Sequence, residues 1–152
     1  MTSPFERLAE LKLTLPDVSA PLAAYQPAVQ SGRHVYVSGQ LPLVDGSLLA
    51  TGKVGAEVSP ELAKELAGRC ALNALAAVEA LVGLENVIKI VKVVGYVAVA
   101  EGFTAIPGVV NGASELFGAV FGEAGQHARS AVGVAALPLD APVEIEIIAE
   151  IA

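Results

Sequence analysis

The sequence predicts a single α+β domain in which two long helices cover one face of a mixed β-sheet. Three observations favour this class. The chain has 152 residues, which suits one hydrophobic core. Two segments combine helix start and stop signals with apolar residues at helical spacing, and the other apolar segments are rich in β-branched residues, as strands are. No repeat or linker divides the chain, so we expect residues 1–152 to form the domain.

Residues 1–24 predict a short N-terminal helix followed by an extended lead-in. Ser3 is a hydroxyl N-cap, and Glu6 stands three positions later, which completes a capping box around Pro4. This helix should run to about Lys12. Prolines at positions 16, 21 and 27 disfavour regular helix in the residues that follow.

Two tight turns are expected before the first long helix. Ser31-Gly32 separates two strand-like runs, 25–30 and 34–40, and predicts a β-hairpin. Asp45-Gly46 is a second turn signal.

The first long helix has clear ends. Ser59 is the expected N-cap, Pro60 the first helical residue, and Gly83 lies just past the last turn. Apolar residues recur between them at spacings of three or four and form one stripe: Leu62, Leu66, Cys70, Ala74, Val78 and Leu81. The second long helix is expected over Pro107 to Phe121, closed by Gly122.

The remaining segments predict the centre of the sheet. Residues 87–99 are apolar at both odd and even positions, so this strand should be buried on both faces. Residues 143–151 alternate between apolar residues and glutamates. We expect 129–134 and 143–151 to pair as a hairpin, with Arg129 opposite Ile148. The sheet should have five or six strands.

Composition restricts the classes of function. Hydrophobic residues make up 54% of the chain and charged residues 16%, against about a quarter charged in an average domain. No apolar run is long enough to cross a bilayer and the N-terminus lacks a secretory pattern, so we expect no membrane partner and a cytoplasmic location. A net charge of -7 disfavours nucleic acid.

The apolar surplus also predicts self-association. Two long helices cover only one face of the sheet, and the sequence offers no third long helix for the other face. Other copies of the chain are therefore the expected cover, in a closed oligomer. Cys70, the only cysteine, lies on the apolar stripe and predicts an inert core residue rather than a disulfide or metal ligand.

Polar residues at fixed positions give the chain a resemblance to a known family. Its elements are Tyr25, Val37-Ser38-Gly39-Gln40-Leu41-Pro42, Asn73, Asn86-Val87-Ile88-Lys89, Asn111, Ala128-Arg129-Ser130, Leu137-Pro138 and Val143-Glu144-Ile145-Glu146. In this order they resemble the YjgF/RidA superfamily, also called the endoribonuclease L-PSP family. The resemblance is collinear from about residue 25 to residue 149.

The resemblance implies a chorismate-mutase-like subunit in a homotrimer, with ligand sites in the clefts between subunits. It implies a reactive-intermediate deaminase that hydrolyses 2-imino acids, including their enamine forms, to 2-oxo acids and ammonia. The ligand would be a small carboxylate metabolite, and no metal or organic cofactor is expected. His34 and His127 lack ligand spacing and are expected to make ordinary hydrogen bonds.

Two residues carry the chemistry that the resemblance implies. Arg129 matches the arginine that holds the substrate carboxylate, for which a planar guanidinium is suited. The alternative is a structural salt bridge to a glutamate of the last strand. Glu144 matches the glutamate that positions or activates the water. The alternative is a solvated glutamate on the face of an edge strand.

Three further residues match positions that line the cleft. Tyr25 and Asn111 would contact the ligand, and the Gly39 backbone would approach it closely because no side chain obstructs it. Tyr25 also suits plain interface packing, and Asn111 also suits a helix cap.

The sequence departs from the family pattern at several positions, so the resemblance does not define the particular substrate. Ala131 stands where deaminating members often carry Cys, and His127 stands where Pro commonly precedes Ala-Arg-Ser. Residues 102–107 form a longer entry to the second long helix, and an extra helix precedes Tyr25. These features indicate a longer subgroup. A non-catalytic trimer that binds small carboxylates is the alternative function, and endoribonuclease activity is a third.

Overall fold

The fold is described here from a computed structural model of the chain, over residues 2–152. The helices are α1 (Pro4–Glu10), α2 (Pro60–Val82) and α3 (Ile106–Phe121). The strands are β1 (Ala28–Ser31), β2 (His34–Gln40), β3 (Leu43–Val44), β4 (Ser47–Leu48), β5 (Val87–Ala98), β6 (Ala128–Val134) and β7 (Val143–Ile151). Single 3₁₀ turns occupy Leu84–Asn86, Gly122–Gly125 and Pro138–Asp140.

Five strands form one mixed sheet in the order β1-β2-β7-β5-β6. The pair β5–β6 is parallel and the other three pairs are antiparallel. The strands β3 and β4 form a separate two-stranded hairpin. The predicted α+β class with a mixed sheet is therefore confirmed.

The local signals in the sequence mark the element ends correctly. Ser3 forms the predicted capping box of α1, which ends at Glu10. The Ser59 side chain accepts from the Leu62 amide at the start of α2. Gly83 ends that helix with a φ of +85°, a conformation that glycine adopts without strain. Both predicted hairpin turns form, and α3 begins one residue earlier than predicted.

The predicted pairing of the last two long strands is wrong. β6 does not lie beside β7, because β5 runs between them and pairs with both. Arg129 is opposite Val93 of β5 rather than Ile148 of β7. The physical reason is the α3 crossover: a strand that returns after a helix joins its predecessor in parallel, which fills one edge of β5 with β6.

The prediction that β5 is buried on both faces is also wrong for the single chain. Its residues alternate between buried and half-exposed positions along the second half of the strand. Val93 and Val97 point to the helices and are fully buried, whereas Val94 and Tyr96 point to the other face. No element formed by residues 2–152 packs over the apolar residues on that second face.

Both long helices pack on the same face of the sheet, and two glycines permit the close contact. A Cβ at Gly95 of β5 would lie 2.5 Å from a methyl carbon of Val110, so this glycine lets α3 rest directly on β5. A Cβ at Gly112 of α3 would lie 1.9 Å from the Lys64 carbonyl oxygen of α2. Cys70 is fully buried within this core, as the sequence predicts.

The opposite face of the sheet, called the open face below, carries exposed apolar side chains. Val29, Tyr36 and Val132 are 49%, 44% and 44% exposed, which leaves much of their apolar surface in contact with water. Ile148 is half-buried beside Tyr36.

Among residues 2–152, no helix combines the length and apolar character that crossing a membrane requires.

The close approach of α2 and α3 predicts opposite effects for two glycine substitutions in the same helix. Gly112→Ala should lower the free energy of unfolding by about 1–3 kcal/mol, because the new methyl group meets fixed backbone. Gly118→Ala is the matched control, since no atom lies within 4 Å of its Cβ position. It should raise the free energy of unfolding by up to about 1 kcal/mol. Urea unfolding at one protein concentration measures both, and equal stability of the two variants would contradict the packing.

Candidate functional site

Arg129 lies near the start of the edge strand β6, and its side chain reaches the beginning of α3. Its Nη1 donates to Asn111 Oδ1 at 2.7 Å and to Ser114 Oγ at 3.3 Å. Its Nη2 lies 3.5 Å from the Pro107 carbonyl oxygen. All three acceptors are neutral groups of one helix, so they orient the guanidinium without neutralising its charge.

Within residues 2–152, Arg129 forms no ion pair. The two salt bridges of this part of the chain are Arg33–Glu150 and Lys64–Glu115. The alternative interpretation, a salt bridge from Arg129 to a glutamate of the last strand, is therefore wrong. The half-exposed guanidinium is available to an anionic ligand.

The interpretation of Asn111 as a helix cap is wrong as well. Helix α3 begins at Ile106, so Asn111 lies inside its second turn, and Ala105 is the N-cap. The exposed Asn111 side chain instead accepts from Arg129. Its amide nitrogen is the group left to contact a ligand.

Glu144 belongs to a different part of the molecule. It lies on β7, which is the central strand of the sheet, so the alternative of a solvated edge-strand position is wrong. Its side chain is on the open face, packed against Gly39 at an irregularity of β2. A Cβ at position 39 would lie 2.7 Å from the Glu144 carboxyl carbon, so a side chain here would force the carboxyl to move.

The environment of Glu144 favours its protonated form. Burial raises the pKa of the Glu144 carboxyl, and the nearby Glu146 carboxylate raises it further. On β5, the Tyr96 hydroxyl donates to Glu146 Oε1. That hydrogen bond, with a smaller effect of burial, raises the pKa of Tyr96 to about 12. Sequence reasoning missed Tyr96, because its position opposite Glu144 depends on strand register.

Tyr25 lies on the same side as Gly39. The lead-in and β2 enclose a small pocket whose lining includes Leu22, Tyr25 and Gly39. The Tyr25 hydroxyl accepts from the Leu22 backbone amide at 3.2 Å, which fixes the ring against the lead-in. Gly39 therefore connects the Tyr25 pocket with the Glu144 carboxyl.

The predicted site residues thus form two separate groups. The cationic half-site contains Arg129 and Asn111, and the acidic half-site contains Tyr25, Gly39 and Glu144. Arg129 points to the helices because it shares its register position with the buried Val93, whereas Glu144 points to the open face. Three residues along the strands and two strand spacings separate their Cα atoms by roughly 14 Å.

These features define a class of protein: a mixed sheet with two helices on one face, an unpaired arginine beside the second helix, and a glutamate on the open face. The Endoribonuclease L-PSP family model matches residues 17–151. The chain belongs to this family, which is the YjgF/RidA superfamily. The resemblance predicted from the motifs is confirmed.

Individual relatives agree with this assignment. Protein TCP17 of Trypanosoma cruzi is 40% identical over 146 residues, which cover 95% of this chain and 91% of that protein. The crystal structure of Agrobacterium tumefaciens Atu1372, a protein of unknown function, has 44% identity and a TM-score of 0.90, covering 96% of this chain and 91% of that one. The YjgF gene product of E. coli has 30% identity and a TM-score of 0.64, covering 88% and 93%.

The half-buried carboxyl of Glu144 predicts a pH-dependent gain in stability when a neutral residue replaces Glu144. Burial raises the pKa of Glu144 in the folded chain, so the folded chain holds the carboxyl proton more tightly than the unfolded chain does. The stability that this proton provides is present at low pH, and it is lost as the pH rises through the pKa of the folded chain. Glu144→Gln should therefore melt at a higher temperature than the unsubstituted chain at pH 8, and the difference should vanish near pH 4, about the unfolded pKa of glutamate.

Glu65→Gln, at an exposed position of α2, is the control and should leave the pH dependence unchanged. Melting temperatures by circular dichroism from pH 4 to 8 measure the effect. A destabilised Glu144→Gln at pH 8 would contradict the assignment of a buried, proton-favouring carboxyl.

Proposed function

We propose that this chain is a reactive-intermediate deaminase, which hydrolyses 2-imino acids and their enamine tautomers to 2-oxo acids and ammonia. One observation carries the proposal: an arginine that pairs with no acidic group of residues 2–152 and a proton-favouring carboxyl lie on opposite faces of the same sheet. Two copies of the chain can therefore present complementary halves of one site. Arg129 holds the substrate carboxylate, and Glu144 positions and activates the water.

The proposed assembly is a chorismate-mutase-like homotrimer with its ligand sites between protomers. A two-fold interface would place the open face of one copy on the open face of the other, so that Glu144 faced Glu144. A head-to-tail interface instead brings the acidic half-site of one protomer to the cationic half-site of the next. Closure of such an interface into a ring also covers the exposed apolar residues Val29, Tyr36 and Val132.

In the cationic half-site, the neighbours of Arg129 select which of its edges meets the ligand. Asn111 and Ser114 occupy Nη1 and the Pro107 carbonyl oxygen takes one N–H of Nη2, so Nε and the second N–H of Nη2 form the edge that remains for a carboxylate. Two parallel N–H donors match the two oxygens of that group. Because Arg129 holds the amide oxygen of Asn111, the amide nitrogen of the same side chain is a further donor for the ligand.

The acidic half-site provides the proton transfers. The Glu144 carboxylate accepts a proton from water as the water oxygen bonds to the imino carbon, and the carboxyl passes that proton to the imino nitrogen, which gives a carbinolamine. The carboxylate then accepts the proton of the carbinolamine hydroxyl and passes it to the amine nitrogen. Ammonia leaves as the C–N bond breaks and the C=O bond of the 2-oxo acid forms, and Glu144 is again a carboxylate.

The raised pKa of Glu144 supports this two-way role. A carboxyl whose pKa is raised toward neutral exchanges a proton more readily at working pH than an exposed glutamate does.

The surroundings of Glu144 disfavour a polyanionic substrate. Glu144 and Glu146 lie together on the open face, and the whole chain carries a net charge of -7, so a small organic acid suits the site better than RNA does.

A coupled assay tests the activity. An amino acid oxidase generates 2-iminobutanoate, and semicarbazide traps the imine that survives. The unsubstituted chain should reduce trapping, and Arg129→Ala should lower its kcat/KM by about 100-fold or more because the substrate is no longer oriented. Arg33→Ala is the matched control, since Arg33 pairs with Glu150 away from both half-sites.

Two outcomes would contradict the deaminase proposal. In the first, the unsubstituted chain consumes the imine no faster than buffer does. In the second, Arg129→Ala and Arg33→Ala are equally active. Thermal stabilisation by 2-oxobutanoate without any turnover would instead favour a non-catalytic trimer that binds small carboxylates.

Mixed trimers test whether the two half-sites come from different protomers. Arg129→Ala and Glu144→Gln should each be inactive alone. Co-expression of the two variants places an intact arginine beside an intact glutamate in about a quarter of the sites of a randomly mixed ring. Activity should therefore recover to about a quarter of that of the unsubstituted trimer. A chain that carries both Arg129→Ala and Glu144→Gln, co-expressed with Arg33→Ala, gives the activity expected when active protomers are diluted with inactive ones. No recovery of activity in the mixed trimers would exclude a shared site.

A further inference from the structure

A chain of hydrogen bonds lies behind Arg129, on the side away from the proposed ligand. The Nδ1 atom of His127 is 2.6 Å from the Gly125 carbonyl oxygen, and its Nε2 atom is 2.8 Å from Ser114 Oγ. Ser114 Oγ is in turn 3.3 Å from Arg129 Nη1. Four residues are thus linked in series: Gly125, His127, Ser114 and Arg129.

The Gly125 carbonyl and the Arg129 guanidinium, at the two ends of this series of hydrogen bonds, set the direction of every bond between them. The Gly125 carbonyl oxygen only accepts, so His127 Nδ1 carries a proton. In the neutral imidazole, Nε2 is then an acceptor, and the Ser114 hydroxyl donates to it. The lone pairs of Ser114 Oγ are left for the guanidinium, which only donates.

The ring of His127 is held rigidly enough to impose this direction. It makes an edge-to-face contact with Phe117, with ring centroids 6.0 Å apart and an interplanar angle of 88°. Phe117 is fully buried in the core. A rotation of the imidazole would therefore break this packing together with both hydrogen bonds.

We propose that His127 and Ser114 are positioning residues for Arg129: the histidine orients the serine hydroxyl, which then fixes Nη1 so that Nε and Nη2 face the ligand carboxylate. This inference rests on the proposed function of Arg129. His127 acts through Ser114 and does not touch the substrate. Proline, which commonly precedes Ala-Arg-Ser in the family pattern, offers no side-chain acceptor for Ser114.

The proposal predicts a loss of ligand binding with little loss of turnover. Ser114→Ala and His127→Phe should each raise KM for 2-iminobutanoate and Kd for 2-oxobutanoate by about 3- to 10-fold, the usual effect of losing one such hydrogen bond. The value of kcat should change by less than about twofold, since the proton transfers belong to Glu144. His127→Phe preserves an aromatic ring against Phe117, and His127→Gln should restore part of the affinity with an amide acceptor.

A double variant separates the positioning role from a merely structural one. If His127 acts through Ser114, the Ser114→Ala/His127→Phe chain should bind no more weakly than Ser114→Ala alone. Losses that add, or unchanged KM and Kd in both single variants, would overturn the proposal. An unsubstituted chain that neither binds the oxo acid nor consumes the imine marks failure of the proposed function instead.

The tautomer of His127 gives a readout that needs no ligand. In ¹⁵N-histidine-labelled protein at pH 8, Nδ1 should give the signal of a protonated nitrogen and Nε2 that of an unprotonated one. The chain has two histidines, so His34→Gln assigns the spectrum. A protonated Nε2 in the neutral ring would overturn the proposal, because Ser114 would then not donate to His127.

Discussion

The parallel pairing of β6 with β5 is the constraint on which the site depends. Because β5 separates β6 from β7, Arg129 and Glu144 are two strands apart, and the register turns their side chains to opposite faces. A small substrate cannot touch both within one protomer. Under the proposed function, a head-to-tail interface brings the two halves together, and the chemistry that these residues share then belongs to an assembly.

The two half-sites are built by different physical means. Three neutral oxygens of α3 accept from Arg129, which orients the guanidinium without pairing it with an acidic group. Glu144 is half-buried against Gly39 with a like charge nearby, which favours the protonated form. In the proposed function, the first half binds the anionic ligand and the second carries out the proton transfers. The glycine at position 39 leaves room for the Glu144 carboxyl, which a side chain there would displace.

Sequence reasoning predicted the features that depend on nearby residues. The cap at Ser59, the end of α2 at Gly83 and the turn at Asp45-Gly46 are set by each residue's own backbone and its neighbours, and all three form. Strand partners depend on residues far apart in the chain, and there the hairpin prediction failed. The contacts of Ser114 with His127 and Arg129 were missed for the same reason. They arise only after the α3 crossover sets β6 beside β5.

The central claim is that Arg129 and Glu144 serve one ligand from two protomers. A crystal structure of the assembly with 2-oxobutanoate tests it most directly. We predict that the ligand carboxylate contacts Nε and Nη2 of Arg129 from one protomer, and that its carbonyl group lies beside Glu144 from the adjacent protomer. A monomeric chain in the crystal and in solution would contradict the claim, as would a ligand that touches Arg129 with no neighbouring Glu144 in reach.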